Sequence, residues 1–132
     1  MSVAMLLLAS MLTFDDPPKD VIDFFRSAAA ALSEAHDDGS GRAFLDHFDK
    51  SMPGYAGFSD QIEAMVAAGE VSTTIDFVNT EGNDQKRTLD LDWLLQCEGE
   101  RPKRQVVKCT IEKRGKKWKI TSIAPMEFFR RE

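Results

Sequence analysis

The sequence predicts an α+β domain in which three amino-terminal helices pack on one face of an antiparallel sheet of four or more strands. Apolar residues recur at helical spacing up to about residue 68, and from Val71 they alternate with period two. The alternating runs are separated by short turn signals, which reads as a meander. Helices first and strands afterwards place the helices on one sheet face.

The first helix is expected from about Asp16 to Asp37, with Asp16 as cap and Pro17 at the first helical position, where no N–H is needed. Val21, Phe25, Ala28, Leu32 and Ala35 form its core stripe. A short second helix is expected from Ser40 or Gly41 to Lys50, with Phe44 and Phe48 on one face and Pro53-Gly54 as its stop. A third runs from about Ser59 to Ala68, capped by Ser59 and ended by Gly69, with Ile62, Met65 and Val66 inward.

The strands follow. Val71, Thr73, Ile75 and Phe77 alternate with polar residues, and residues 81–84 ("EGND") form a turn. Leu89, Leu91, Trp93, Leu95 and Cys97 share the next inward face, ended by residues 98–103 ("EGERPK"). Val107, Cys109 and Ile111 precede the hairpin signal Arg114-Gly115, and Trp118 and Ile120 continue beyond it. Hairpin closure places Leu94 opposite Val106 and Val106 opposite Ile123 on the outer face. These three apolar residues then make a patch rimmed by charges, including Asp90, Asp92 and Lys108. The expected partner for it is a second copy in a symmetric homodimer; coverage by Phe128 and Phe129 of the same chain is the alternative.

Composition narrows function. The chain has 132 residues, 42% hydrophobic and 30% charged, which suits one soluble-type globular domain over residues 16–132. Its net charge of −5 argues against general polyanion binding. Residues 1–100 hold 19 acids and 6 bases, and residues 101–132 hold 11 bases and 3 acids. Cross-strand pairing, Glu112 opposite Lys117 and Asp92 near Lys108, accounts for part of this asymmetry. The remaining bases form two separate loop tips, so no nucleic-acid partner is expected.

The two cysteines, Cys97 and Cys109, do not face each other in this register and are expected as buried free thiols. No C-x-x-C occurs and there are only two histidines, so neither metal nor other cofactor is expected. Residues 3–12 are almost wholly apolar. Ten residues are too few for a bilayer span, which needs ~20. They suit the apolar region of an export signal, although no Lys or Arg precedes them and no A-x-A site follows. Residues 1–15 are therefore read as an export leader or an ordinary terminal segment, with export implying a periplasmic or secreted product and the other reading a cytoplasmic one.

The helix "DVIDFFRSAAAALSEAHDDG", the corner "FLDHFDKSMPGY" and the strands "RTLDLDWLLQ" and "KKWKITSI" together resemble the nuclear transport factor 2-like superfamily. That resemblance implies a cystatin-like cone, a curved sheet wrapped round the long helix with a pocket at its open end, and frequent dimers. The superfamily includes ketosteroid isomerase, polyketide-cyclase type proteins and noncatalytic binding modules. The isomerase uses an aspartate base with a tyrosine and a protonated aspartate. Here Asp76, Asp90, Asp92 and Glu112 fall on the outward parity, and the first helix carries no tyrosine. The candidate catalytic residues are therefore His47 as general base, oriented by Asp46 or Asp49, with Tyr55 as donor. Two functions stay open: a noncatalytic module binding a small apolar ligand or its own copy, and a small isomerase, dehydratase or hydrolase built on the His/Asp pair.

Overall fold

The computed structural model describes residues 16–131, so the apolar leader over residues 1–15 lies outside the described residues. Helix α1 (Lys19–Asp38) is followed by a single helical turn, α2 (Arg42–Leu45), and by α3 (Tyr55–Ala67). Strands β1 (Val71–Gly82), β2 (Lys86–Cys97), β3 (Lys103–Arg114) and β4 (Lys117–Ala124) form one antiparallel sheet in the order β1-β2-β3-β4. A 3₁₀ turn, Met126–Phe129, closes the fold. Among the described residues no helix is long and apolar enough to cross a membrane.

The core stripe of α1 is buried as expected, and its end is a Schellman closure. Ser40 N–H donates to Ala35 O and Gly39 N–H to His36 O, both at 3.1 Å, with Gly39 at φ +76°. Its start differs from expectation: Pro18, not Asp16, occupies the cap position and makes no side-chain cap bond. The acidic group in the first turn is Asp20, where the helix dipole favours negative charge.

The second helix is much shorter than its Phe44/Phe48 spacing suggests. After Leu45 the chain turns out and pairs with β4: Ile120 N–H donates to His47 O at 2.8 Å, and Asp49 N–H donates to Ile120 O at 2.9 Å. Free strand-edge groups of β4 outcompete further helical bonds, and the edge is covered. Phe44 and Phe48 still meet, with ring centroids 5.2 Å apart. The third helix starts four residues before Ser59, because Gly54 at φ +78° lets the chain enter it directly. The earlier start buries Phe58 as well as Ile62, Met65 and Val66.

Strand parity is correct through the middle of the sheet. Trp93 is fully buried and Trp118 is 6% exposed, and every expected inward residue of β2 and β3 lies in the core. Cys97 and Cys109 are free and buried. Three corrections concern register. In the β2–β3 hairpin Asp92 pairs with Val106 and Leu94 with Arg104, so Leu94 and Val106 are not directly opposed. Gln96 and Cys97 pair only with β1, and Pro102, lacking an N–H, leaves the ladder to begin at Lys103.

The second correction is a bulge at Thr121, which stands between the pairs Thr110↔Ser122 and Ile111↔Ile120. An unpaired residue reverses the side-chain alternation beyond it, so Ile123 turns into the core beside Cys109. The expected outer patch loses that member. The hairpin also turns at Gly115-Lys116, one residue later than expected, so Glu112 faces Lys119, not Lys117. The third correction is a bulge at Val78 on β1, which leaves Val78 49% exposed and turns Thr80 inward.

The carboxy-terminal turn covers the interior, not the outer face. Phe129 is fully buried against Trp93, Phe44 and Phe58, with ring centroids 5.0, 6.5 and 5.5 Å away. Arg131 holds this segment down by donating to Met65 O and Glu98 O, each at 3.0 Å.

Candidate functional site

The corner over residues 46–49 and the β3–β4 hairpin frame a cleft of about 400 Å3 beside the start of α1. Phe24 and Trp118 form its apolar walls, His47 and Asp46 lie on one side, and Lys116, Lys117 and Lys119 line the rim. Helix α1 contributes a second stripe. Asp20, Phe24 and Ser27 recur at four and three residues, one position before the core stripe, and so lie along its flank.

His47 is half-buried at this flank. Its Nδ1 lies 3.0 Å from Ala43 O and 3.2 Å from Phe44 O, and its Nε2 lies 3.0 Å from Ser27 Oγ. Carbonyl oxygens only accept, so Nδ1 carries the proton of the neutral ring and Nε2 accepts from the Ser27 hydroxyl. Burial lowers the histidine pKa and favours that neutral form. Phe24 meets the ring edge-on at 5.2 Å.

The carboxylates expected beside His47 are engaged differently. Asp46 is exposed, and it is its backbone oxygen that accepts from Lys119 Nζ. Asp49 closes a local turn: Ser51 N–H and Oγ–H donate to Oδ1 at 2.8 and 2.6 Å, while Arg114 Nε donates to Oδ2 at 2.8 Å. The Ser51 bonds, then Arg114, hold the Asp49 pKa down to about 2. Asp49 faces a neighbouring cleft of about 280 Å3 with Phe48, Lys50 and Arg114. Tyr55 is half-buried at the start of α3, packed against the core, and lines neither cleft. The structure thus brings His47 and Asp46 to one cleft, and leaves Asp49 and Tyr55 elsewhere.

Sequence reasoning missed Ser27, Asp20, Trp118 and the lysine rim. The flank stripe of α1 is a readable signal for Asp20 and Ser27. Their partners lie 98 and 20 residues away in sequence, and no spacing rule supplies those. Asp20 Oδ2 accepts from Trp118 Nε1 at 2.9 Å and lies 3.7 Å from Lys113 Nζ, so its pKa is lowered chiefly by the indole bond.

Among the described residues the centre of the cone is filled, and a further cleft of about 490 Å3 opens between α1 and β1, lined by Ile22, Phe25, Ile75 and Phe77. Trp93, Phe44, Phe58 and Phe129 fill the centre with rings in edge-on and tilted contact. Among the described residues the Trp93 indole N–H has no hydrogen-bond partner.

No protein-family model and no curated protein sequence matches the chain. Solved structures with a similar fold include Bd1075 of Bdellovibrio bacteriovorus (TM-score 0.67, 13% identity), where the match covers 80% of this chain and 38% of that one. The chain thus spans well under half of Bd1075. A Nostoc punctiforme protein of unknown function with a cystatin-like fold has TM-score 0.57 and 13% identity, over 79% of this chain and 85% of that one. An NTF-2 like protein of unknown function from Shewanella oneidensis has TM-score 0.56 and 14% identity, over 79% and 93%. With helices on a four-stranded antiparallel sheet and these neighbours, the protein has the nuclear transport factor 2-like, cystatin-like α+β fold.

Proposed function

We propose that this protein is a noncatalytic binding module whose ligand sits in the surface cleft and not inside the cone. The observation that carries this reading is Phe129: the chain's own carboxy-terminal ring occupies the interior against Trp93. The cleft suits a small, flat apolar ligand. Phe24 and Trp118 supply ring contacts, and the lysines leave the rim wet. Titration of the labelled protein with indole or naphthol, followed by amide NMR, tests this. Shifts at Phe24, His47 and Trp118 are expected. Shifts centred on Trp93 and Phe129 instead would place the ligand inside and reject the reading.

Self-association through the outer sheet face is the other half of the proposal. Val106 is 52% exposed there, next to half-buried Leu94 and flanked by the Arg104–Asp92 and Lys108–Asp90 pairs. A two-fold axis over Val106 lays this mixed apolar and charged surface on its own copy.

One observation favours a second reading, a small hydrolase: the 3.0 Å contact between Ser27 Oγ and His47 Nε2, with the imidazole oriented through Nδ1. A fluorophosphonate probe separates the two. Labelling of Ser27 that is lost in His47→Gln supports the enzyme, and an unlabelled folded protein supports the module.

A further inference from the structure

The cleft beside the start of α1 holds more ammonium groups than carboxylates. Lys116, Lys117 and Lys119 line it, and its acids are Asp20 and Asp46. The Asp20 carboxylate is committed: it accepts from Trp118 Nε1 at 2.9 Å and has Lys113 Nζ at 3.7 Å. Lys119 Nζ donates to a neutral acceptor, the backbone oxygen of Asp46. Lys116 and Lys117 are exposed, and among the described residues neither makes an ion pair or a side-chain hydrogen bond. His47 registers the sign of the local field. Burial is the first cause of its lowered pKa, and among the charges Lys119 lowers it more than Asp46 raises it.

The inner walls offer a ligand no donor of their own. The Trp118 N–H is spent on Asp20, so the indole presents only ring surface beside Phe24. The His47 Nδ1–H is taken by backbone carbonyls, and Nε2 accepts from Ser27. Polar recognition therefore falls to the rim, where the excess charge is positive. The whole chain carries −5, so its long-range field repels an anion, and any preference for one must come from these local lysines. Ammonium groups act as point charges and impose no bidentate geometry on the group they bind. We infer that the ligand of this cleft is an aromatic acid, its ring against Phe24 and Trp118 and its acidic group among Lys116, Lys117 and Lys119. This rests on the cleft being the binding site and adds the ligand's charge. Asp46 is the group that favours the opposite sign, which makes an aromatic amine the competing candidate.

The test is amide NMR titration of the full chain at pH 7.5 with 2-naphthoate, 2-naphthol and 2-naphthylmethylamine, with Kd values taken from the shifts at Phe24, His47 and Trp118. Naphthoate binds about 3–10-fold tighter than naphthol, as several exposed charge contacts acting together provide, and the amine binds weakest. Raising the salt from about 0.05 M to about 0.5 M erases the naphthoate advantage and leaves naphthol unchanged. The double variant Lys116→Gln, Lys117→Gln brings naphthoate down to the naphthol level; the salt series on the wild type decides the same point without a variant. Cleft shifts with naphthol but no gain with naphthoate, or with the amine tightest, overturn the charge assignment and leave the cleft as the binding site. A naphthoate advantage that survives high salt or the double variant also overturns it. Cleft amides indifferent to all three ligands overturn the binding reading itself, and this inference with it.

Discussion

The Trp118 indole N–H donates to the Asp20 carboxylate at 2.9 Å, joining the β4 end of the last hairpin to the first turn of α1. Lys113 reaches the same carboxylate and lies 5.0 Å over the Trp118 ring, so three elements converge at one acid. Asp20→Ala removes a hydrogen bond to a charged acceptor at a partly wet site and should cost about 1 kcal/mol in urea unfolding at pH 7. The folded pKa of Asp20 lies below its unfolded value of 3.8, so the contribution is present above that value and is lost as pH falls through the folded pKa. The wild-type advantage over Asp20→Ala should therefore shrink at pH 3.

His47 gives a second pH dependence at milder acidity. Its folded pKa is lowered by burial from 6.5. As pH drops below 6.5 the unfolded chain takes up the proton first, and the folded state loses ground. The thermal midpoint should fall between pH 7.5 and 5.5, and His47→Gln should flatten that portion of the profile. An equal slope in the variant would assign the effect to another group.

Trp93 anchors the interior. Truncation to alanine should cost ~3–5 kcal/mol, as for other large core aromatics. Because its N–H has no partner among the described residues, Trp93→Phe forfeits packing volume but no hydrogen bond, and it should cost clearly less than the alanine variant. Denaturant titrations of both variants give the comparison.

The outer face and the core beneath it are separable by mutation. If the module pairs through the sheet, Val106→Asp or Leu94→Asp should yield folded monomers by sedimentation at micromolar concentration. Ile123→Asp should instead destabilise the fold itself, since Ile123 is 3% exposed inside the sheet. A wild type that sediments as a monomer, or a dimer unchanged by Leu94→Asp, rejects the sheet-face interface.

Two of the register errors, those at Thr121 and Val78, share one physical origin. Alternation of Leu89, Leu91, Trp93 and Leu95 reports which side is buried, and burial is a local tendency that the residues themselves carry. A bulge is decided by the partner strand. Thr121 reads as an ordinary outward residue, and only its unpaired place between Ile120 and Ser122 shows that Ile123 is turned inward. Val78 likewise gives no warning that Thr80 will turn in to meet Arg87. The second helix fails for a similar reason: residues 46–49 have no strong local preference, and the open edge of β4 claims their backbone.

The sequence by itself determined the order of elements, the helix stripes, the inward face of the central strands and the burial of both tryptophans. Each of these follows from hydrophobic periodicity within one short segment. Tertiary structure alone decided what His47 touches, where Asp49 and Tyr55 go, and that Phe129 fills the cone. It also decided that Arg87 turns inward to the Thr80 hydroxyl. Those outcomes depend on contacts between residues tens of positions apart, and the free energy of such a contact exists only once the chain has brought both partners together.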